Sequence, residues 1–352
     1  MEITEIQVDG YEKVVRCRDQ ESGLHALIAV HDTTLGPALG GMRMWPYASE
    51  DEALFDVLRL SRGMTFKSAV AETGLGGGKS VILGDPKTLK SEALFRAMGK
   101  FVDSQGGLYI TAEDMNIGIP DLEIVHQETK WVTGLKRSEG SSGNPSPYTA
   151  DGCLIGLHAV AEELDKNTSL AGKKIVIQGV GAVGGALAIL LKGENADVTI
   201  CDINEDRVKQ LQDEYGFDAV ADEHHLDVEC DIYSPCARGA GINDETIPKL
   251  RCRAIAGCAN NQMLEAHHAQ DVRDRGILYA PDYVINAGGI INVAVELLPG
   301  GYDEGVARER IARIYDNLKQ VFEISRTDDI ATNEAAKRLA LKRIEAARVA
   351  KS

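Results

Sequence analysis

The stretch 175–202 constrains the chain most. Ile175, Val176 and Ile177 form an apolar run that leads through Gln178 into Gly179-Val180-Gly181-Ala182-Val183-Gly184-Gly185, and ALAILLK follows with helical spacing. A GxGxxG loop alone recurs in many chains, but between a strand and a helix it has a mechanical meaning. The glycines allow a tight turn and close backbone approach, and the bare amides of the helix N-terminus suit a pyrophosphate. Asp202 ends the next strand, 198–201, eighteen residues past Gly184. A carboxylate there accepts from adenosine ribose hydroxyls and repels a 2'-phosphate. The expected cofactor is therefore NAD rather than NADP.

A βα rhythm continues. We expect a helix over 207–215, a short strand at 219–220, and a strand over 230–237 that ends beside Cys236 and Ala237. Another strand running into a loop is expected over 255–262, and a strand followed by glycines over 284–291. The first carries Asn260 and Asn261, whose amides suit a nicotinamide, a ribose or a carboxylate; turn formation accounts for them equally well. The second carries Asn286 and then Gly288 and Gly289. Long helices over 306–325 and 333–350 close the chain, and Arg343, Arg348 and Lys351 suit a helix C-terminus.

The N-terminal half turns on two lysines, Lys67 and Lys79, either side of a glycine-rich turn. Gly76, Gly77 and Gly78 allow a sharp turn or a close approach. Paired ammonium groups suit an anionic substrate, and burial beside a like charge would keep one lysine partly neutral. Two surface charges at a strand edge fit the same pattern. Ahead of them lie strands over 14–17 and 24–31, then HDTTLGPALGGMRMW (31–45), expected as an irregular loop because of Gly36, Pro37, Gly40 and Gly41. That loop could wall an apolar pocket with Leu39, Met42 and Met44, or simply cover the core. A helix over 49–63, capped by Ser49, delivers the chain to Lys67. After a helix over 91–102 and a strand over 108–111 comes Asp114, placed either to shuttle a proton or to cap a turn. A helix over 119–127 follows. KRSEGSSGNPSP, 136–147, marks a linker, and a helix over 148–164 leads to the dinucleotide loop.

Composition narrows the class. The 352 residues suffice for two domains, and a net charge of -16 with no basic block argues against a nucleic-acid partner. The acidic start lacks a secretory pattern, and no apolar run is long enough to span a bilayer. The 7 cysteines include no CxxC pair. They fit a reduced cytoplasmic chain without a structural metal.

Taken together, IAVHDTTLGPALGG, the GGGK segment, YITAED, SSGNPSP, GVGAVG, DIYSPCARGA, IAGCANNQ and YAPDYVINAGG resemble the Glu/Leu/Phe/Val amino-acid dehydrogenase family, most closely its leucine-oxidising members. The resemblance runs from Val14 to about Ala347. It implies an α/β fold of two domains with the active site in the cleft between them. The first is a substrate and oligomerisation domain with a mixed sheet (1–137, completed by a helix at about 327–352), and the second is a Rossmann-type doubly wound NAD-binding domain (138–326). It implies that Lys79 and Asp114 are catalytic and that Lys67 binds the substrate carboxylate. Asn261 becomes a further substrate contact, Gly40 and Gly41 line the floor, and Leu39, Met64, Ala112, Ile290 and Val293 surround the side chain. The cofactor set becomes Thr149, Gly179, Val180, Gly181, Ala182, Val183, Gly184, Gly185, Asp202, Cys236, Ala237, Asn260 and Asn286, with no metal.

The implied reaction is reversible, NAD-dependent oxidative deamination of leucine, valine or isoleucine to the 2-oxo acid and ammonium. A glutamate side chain would bury an unpaired carboxylate in this apolar pocket. The chain departs from the family pattern at Met115 to Gly118, where Val-Gly-Thr is common, and at Val295, where an acid usually precedes Glu296. Its shorter tail makes a homodimer the minimum assembly and leaves the octamer open. Phenylalanine oxidation would use the same catalytic residues. A non-catalytic NAD-binding protein would not need all three charged residues, and a hydroxy-acid dehydrogenase would want a cleft histidine, for which only His31 is placed.

Overall fold

The computed structural model describes residues 1–237 and 239–351. The chain divides into two compact units. One comprises Met1–Asn144, Val293–Asp303 and the C-terminal stretch from Ala340, and the other Pro145–Asn292 and Glu304–Leu339. The division expected from sequence fell after residue 137 and gave 327–352 to the first unit. Instead the linker residues up to Asn144 stay with the first unit. There the Glu296 carboxylate accepts from the backbone amides of Gly134 (3.2 Å) and Ser142 (2.9 Å) and from the Ser142 hydroxyl.

The first unit contains β1 (Glu2–Glu5), β2 (Lys13–Asp19), β3 (Leu24–Asp32), β4 (Ala38–Trp45), α1 (Glu50–Val70), β5 (Gly76–Leu83), α2 (Glu92–Asp103), β6 (Tyr109–Ala112) and α3 (Ile119–His126). Its described strands form one mixed sheet in the order β1-β2-β3-β5-β4-β6, antiparallel up to β5 and parallel from there. α1 begins where Ser49 accepts from the Glu52 amide, with Glu50, Asp51 and Glu52 against the positive end of the helix. Ala53 and Val57 of α1 meet Val14, Leu27, Ala29 and Val81 on one face of the sheet. The other face carries Ile28, Met42, Met44 and Ile82 against Leu94, Phe95, Met98 and Phe101 of α2.

The second unit runs α4 (Ser146–Asp165), β7 (Lys174–Gln178), α5 (Ala182–Gly193), β8 (Asp197–Cys201), α6 (Glu205–Tyr215), β9 (Asp218–Ala219), β10 (Cys230–Pro235), β11 (Cys252–Ile255), α7 (His268–Asp274), β12 (Leu278–Tyr279) and α8 (Asp282–Ile285). Then follow α9 (Gly288–Val295), whose residues from Val293 belong to the first unit, α10 (Glu304–Ala312), α11 (Ile314–Asp328) and α12 (Thr332–Lys351), which belongs to the first unit from Ala340. Its sheet is parallel, in the order β12-β11-β10-β7-β8-β9. Strand order reverses at β7, so the crevice at the carboxyl ends of β7 and β10 is the switch point where doubly wound sheets bind ligands.

Four expectations change. The segment 31–45 is not a loop: 38–45 is the strand β4, and its glycines serve close packing rather than turning. A Cβ on Gly40 would lie 1.7 Å from the Gly78 carbonyl oxygen on β5. Met42 and Met44 are accordingly core residues and wall no pocket. The segment 284–291 is helical, in α8 and α9, and the strand of that region is β12. A short apolar run fits a buried helix as well as a strand, and Pro281 with Asp282 starts the helix here. The helix expected over 306–325 is interrupted at Arg313, giving α10 and α11. α1 also runs seven residues beyond the expected end at 63, so Lys67 sits within its last turn.

Candidate active site

Lys79 lies in the middle of β5, and strand alternation sets its direction. Val81, two residues on, packs in the α1-side core, and a Cβ on Gly77 would lie 2.1 Å from the Thr65 amide of α1. Gly78 and Ile82 point to the opposite face. The turn between the two lysines is made by Ala71 and Glu72 (φ +52°) with a bend at Gly74 (φ +75°), whereas Gly76, Gly77 and Gly78 are strand residues pressed against neighbouring backbone and rings. Lys79 is 5% exposed, and its Nζ lies 2.7 Å from Oδ2 of Asp114.

Asp114 follows β6 in a tight turn. The Ile117 amide donates to its carbonyl (2.9 Å), and Asn116, at φ +62°, donates from Nδ2 to the Met44 carbonyl (3.0 Å). The departure at Met115 to Gly118 therefore builds a turn tied to β4. Gly41 gives this turn room, since a Cβ there would lie 2.7 Å from that of Asp114. Arg43 also reaches Oδ2 of Asp114, through Nε at 3.0 Å, and its Nη1 donates to Oδ2 of Asp56 at 3.0 Å. Asp56 accepts in addition from the Tyr47 hydroxyl (2.7 Å) and from Arg59 (2.9 Å).

Burial dominates the titration of Lys79 and lowers its pKa; the Arg43 charge pushes the same way, and Asp114 opposes both without prevailing. For Asp114, burial alone would raise the carboxyl, but Lys79 and Arg43 together hold it below the ordinary range. The two directions look inconsistent for one ion pair. They agree once Arg43 is included, because it stabilises the carboxylate and destabilises the ammonium. The pair is thus a carboxylate with a lysine that releases its proton more easily than usual.

The other residues expected around the substrate divide between the units. Lys67 is in the last turn of α1, half-buried, with Met64 three residues earlier on the same helix face. Leu39 is buried and registers with Gly77 on β5, and Ala112 registers with Gly41 on β4. Val293 is a buried residue of α9 in the same unit. Asn261 and Ile290 belong to the second unit. His31 sits on β3 with Nδ1 2.9 Å from the Thr65 hydroxyl and its ring edge-on to Tyr11, and burial lowers its pKa.

The second unit gathers the residues expected at the cofactor. Gly179 has φ +95°, and a Cβ there would lie 2.5 Å from that of Ala237. A Cβ on Gly184 would lie 2.0 Å from the Gly179 carbonyl oxygen and 2.9 Å from Cβ of Cys236. Gly185 packs under Val180, and Gly181 faces open space. Gly181 caps α5 with no side-chain hydrogen bond, so the helix amides from Ala182 and Val183 onward have no side-chain acceptor over them. Asp202 accepts from the Val180 amide (2.7 Å) through one oxygen and from the Asn204 amide (2.9 Å) through the other. Asn286 donates to Asn260 (2.8 Å), Asn261 adopts φ +51°, and the Thr149 hydroxyl donates to the Pro145 carbonyl (3.1 Å) beside Gly289. An uncapped helix end, a cradle that a Cβ would fill and a carboxylate beside it fit a dinucleotide.

One His/Asp cluster, Asp244, His267, His268 and Asp271, has ligand atoms within 4.8 Å of one another. However, Nδ1 of His268 accepts from the Glu265 amide (2.9 Å), so the neutral ring carries its proton on Nε2, which faces Asp244 at 3.3 Å. With Nδ1 engaged, Nε2 is the one ring nitrogen of His268 left to meet Asp244.

Arg43 and Asp56 escape a reading of the sequence. The signal was available: as a strand, 38–45 places Gly41 and Arg43 on one face and Met42 and Met44 on the other.

These features define a class, an α/β chain that combines a dinucleotide loop with a buried lysine–carboxylate pair. Residues 11–134 match the Glu/Leu/Phe/Val dehydrogenase, dimerisation domain model, and residues 200–351 match the Glutamate/Leucine/Phenylalanine/Valine dehydrogenase model. The chain is 52% identical over 342 residues to leucine dehydrogenase of Thermoactinomyces intermedius, covering 97% of this chain and 93% of that protein. It is 45% identical to phenylalanine dehydrogenase of Lysinibacillus sphaericus, covering 96% and 90%. Among solved structures it is similar to L-tryptophan dehydrogenase from Nostoc punctiforme, with a TM-score of 0.86, 41% identity and 96% and 97% coverage. The chain belongs to the Glu/Leu/Phe/Val dehydrogenase family and is an NAD-dependent amino-acid dehydrogenase.

Proposed function

We propose that the chain oxidatively deaminates branched-chain L-amino acids, leucine, isoleucine and valine, to their 2-oxo acids, reversibly and with release of ammonium, NADH and a proton. The observation that carries this reading is the buried Lys79 in contact with Asp114, its pKa lowered by burial. NAD, when bound, accepts the hydride from Cα of the amino acid. Lys67 holds the substrate carboxylate, and the side-chain amide of Asn261 adds a hydrogen bond to it. Neutral Lys79 takes a proton from the water that adds to Cα, and Asp114 passes protons to and from the amino nitrogen until ammonia leaves. Gly40 and Gly41 let the backbone come close at the floor.

Leu39, Met64, Ala112, Ile290 and Val293 offer the substrate side chain only apolar surface, which admits branched aliphatic groups and leaves a glutamate carboxylate unpaired. The second unit holds the dinucleotide on Gly179 to Gly185, Asp202, Thr149, Cys236, Ala237, Asn260 and Asn286. L-phenylalanine is the second reading, favoured by the 45% identical relative. The match of residues 11–134 to a dimerisation domain supports a homodimer at least, with a larger assembly open. We place the protein in the cytoplasm because all seven cysteines are free thiols, as a reducing compartment keeps them. Among the described residues no helix is long and apolar enough to cross a membrane.

The test is NADH production at alkaline pH with each of the twenty L-amino acids, and with NADP+ in parallel. High rates confined to leucine, isoleucine and valine support the proposal. Phenylalanine dominating replaces the substrate and keeps the chemistry, and silence with NADH still bound ends the catalytic reading.

A further inference from the structure

We propose that Arg43 is the positioning residue that keeps Lys79 available as a base, by sharing the Asp114 oxygen that Lys79 contacts while it is itself anchored on Asp56. The inference rests on the assignment of Lys79 and Asp114 made above.

A lysine 2.7 Å from an otherwise unpartnered carboxylate is held as an ammonium, because the negative charge stabilises the protonated form. Such a lysine makes a poor base near neutral pH. Here the same Oδ2 also accepts from Nε of Arg43 at 3.0 Å. A guanidinium does not lose its proton in a protein, so its charge on that oxygen is permanent and offsets the hold of Asp114 on Lys79. The planar fork matters as well: Nε takes Asp114 while Nη1 takes Asp56, 3.0 Å away. A lysine there would bring one nitrogen in place of the two that Arg43 directs to Asp114 and Asp56. The Arg43 side chain is only 15% exposed, which limits screening by salt.

The charged and titratable groups on the elements around Lys79 act in both directions. β4 supplies Arg43, α1 supplies Asp56, Arg59 and Lys67, the turn after β6 supplies Glu113 and Asp114, β6 supplies Tyr109, and β3 supplies His31. Burial and Arg43 push the lysine toward its neutral form, whereas Asp114 and Asp56 pull it toward the ammonium. Arg43 and Asp56 touch each other yet act on Lys79 with opposite sign.

The experiment measures the pH dependence of kcat/KM for L-leucine with NAD+ in the wild type and in Arg43→Gln, Arg43→Lys and Asp56→Asn. Thermal unfolding and NADH fluorescence accompany it, and Lys79→Ala serves as the reference for the base. We expect Arg43→Gln to lower kcat about a hundredfold, the lower range for general acid–base groups, with KM for leucine changed less than about threefold. Its acid limb moves to higher pH, because the lysine must now shed its proton against Asp114 alone. Arg43→Lys returns the limb toward the wild-type position and recovers about tenfold of kcat. Asp56→Asn moves the limb to lower pH. If Arg43→Gln and Asp56→Asn move the limb in the same direction, or neither moves it, the proposal is overturned. Should Arg43→Gln fail to fold, Asp56→Asn decides: a limb at lower pH supports the proposal and an unmoved limb overturns it. A Lys79→Ala enzyme that retains turnover brings down the assignment of the base, a result distinct from an inert Lys79→Ala with an unmoved Arg43→Gln limb.

Discussion

At the start of α5, function is prepared by removing side chains; on β5 it is prepared by crowding charged ones together. Gly179 and Gly184 pack where a Cβ would meet backbone at 2.6 and 2.0 Å, and Gly181 leaves open space in front of an uncapped helix end. In the first unit, Arg43, Asp56, Lys79 and Asp114 form a continuous chain of ion pairs from three elements and a turn, with Lys79 almost wholly buried. The first arrangement waits for a ligand that brings its own charge. The second holds charge at a cost to the fold, because a buried cation is desolvated. The glycine loop should therefore be sensitive to volume, and the lysine site to charge.

The largest expected effect is that of Lys79→Met. Turnover should fall about ten-thousandfold, the upper range for a general base, while the melting temperature rises, because the desolvation of the buried ammonium is removed. The sign follows from linkage. With a folded pKa below the ordinary lysine value of 10.5, the unfolded chain binds more protons. The penalty is complete below the folded pKa, and stability rises with pH across the window up to 10.5. The variant should lose that rise in denaturation measured from pH 6 to 11. A melting temperature that falls would mean that the ion pair with Asp114 outweighs the desolvation.

The glycine loop should respond differently. Gly184→Ala should weaken NADH binding about a hundredfold and also lower the melting temperature, since a backbone clash worth about 3 kcal/mol is typical of such sites. Gly181→Ala meets nothing within 4 Å in the protein. It should melt as the wild type does and lose affinity only through the approach of the pyrophosphate. Fluorescence titration with calorimetry separates the two, and equal melting losses would erase the distinction drawn between them. Smallest is Glu296→Gln, which weakens the acceptor for the Gly134 and Ser142 amides and the Ser142 hydroxyl. We expect about 1 kcal/mol of destabilisation in urea, the net contribution of one ordinary hydrogen bond, with KM for NAD unchanged.

The same contrast explains how far each region was legible in sequence. The dinucleotide loop is contiguous, and strand, glycines, helix and Asp202 follow one another within 28 residues, so local rules suffice. Lys79 and Asp114 could be named, the former beside its glycines and the latter at a strand end. Arg43 stayed hidden behind a loop reading of 31–45, because Gly40 and Gly41 look like turn residues until their neighbours on β5 and in the turn after β6 are known. The same glycines that permit close packing thus concealed the strand that carries the arginine. The helical 284–291 segment was misjudged for a related reason, since a short apolar run has no period long enough to separate helix from strand.

The central claim is that Lys79 is the base of an amino-acid dehydrogenase, and chemical rescue tests it most directly. Lys79→Ala should bind NADH as the wild type does and oxidise L-leucine at a negligible rate. Small primary amines added to the assay should then restore turnover in proportion to the concentration of their neutral form. A variant that keeps turnover within tenfold of the wild type without any amine would contradict the account.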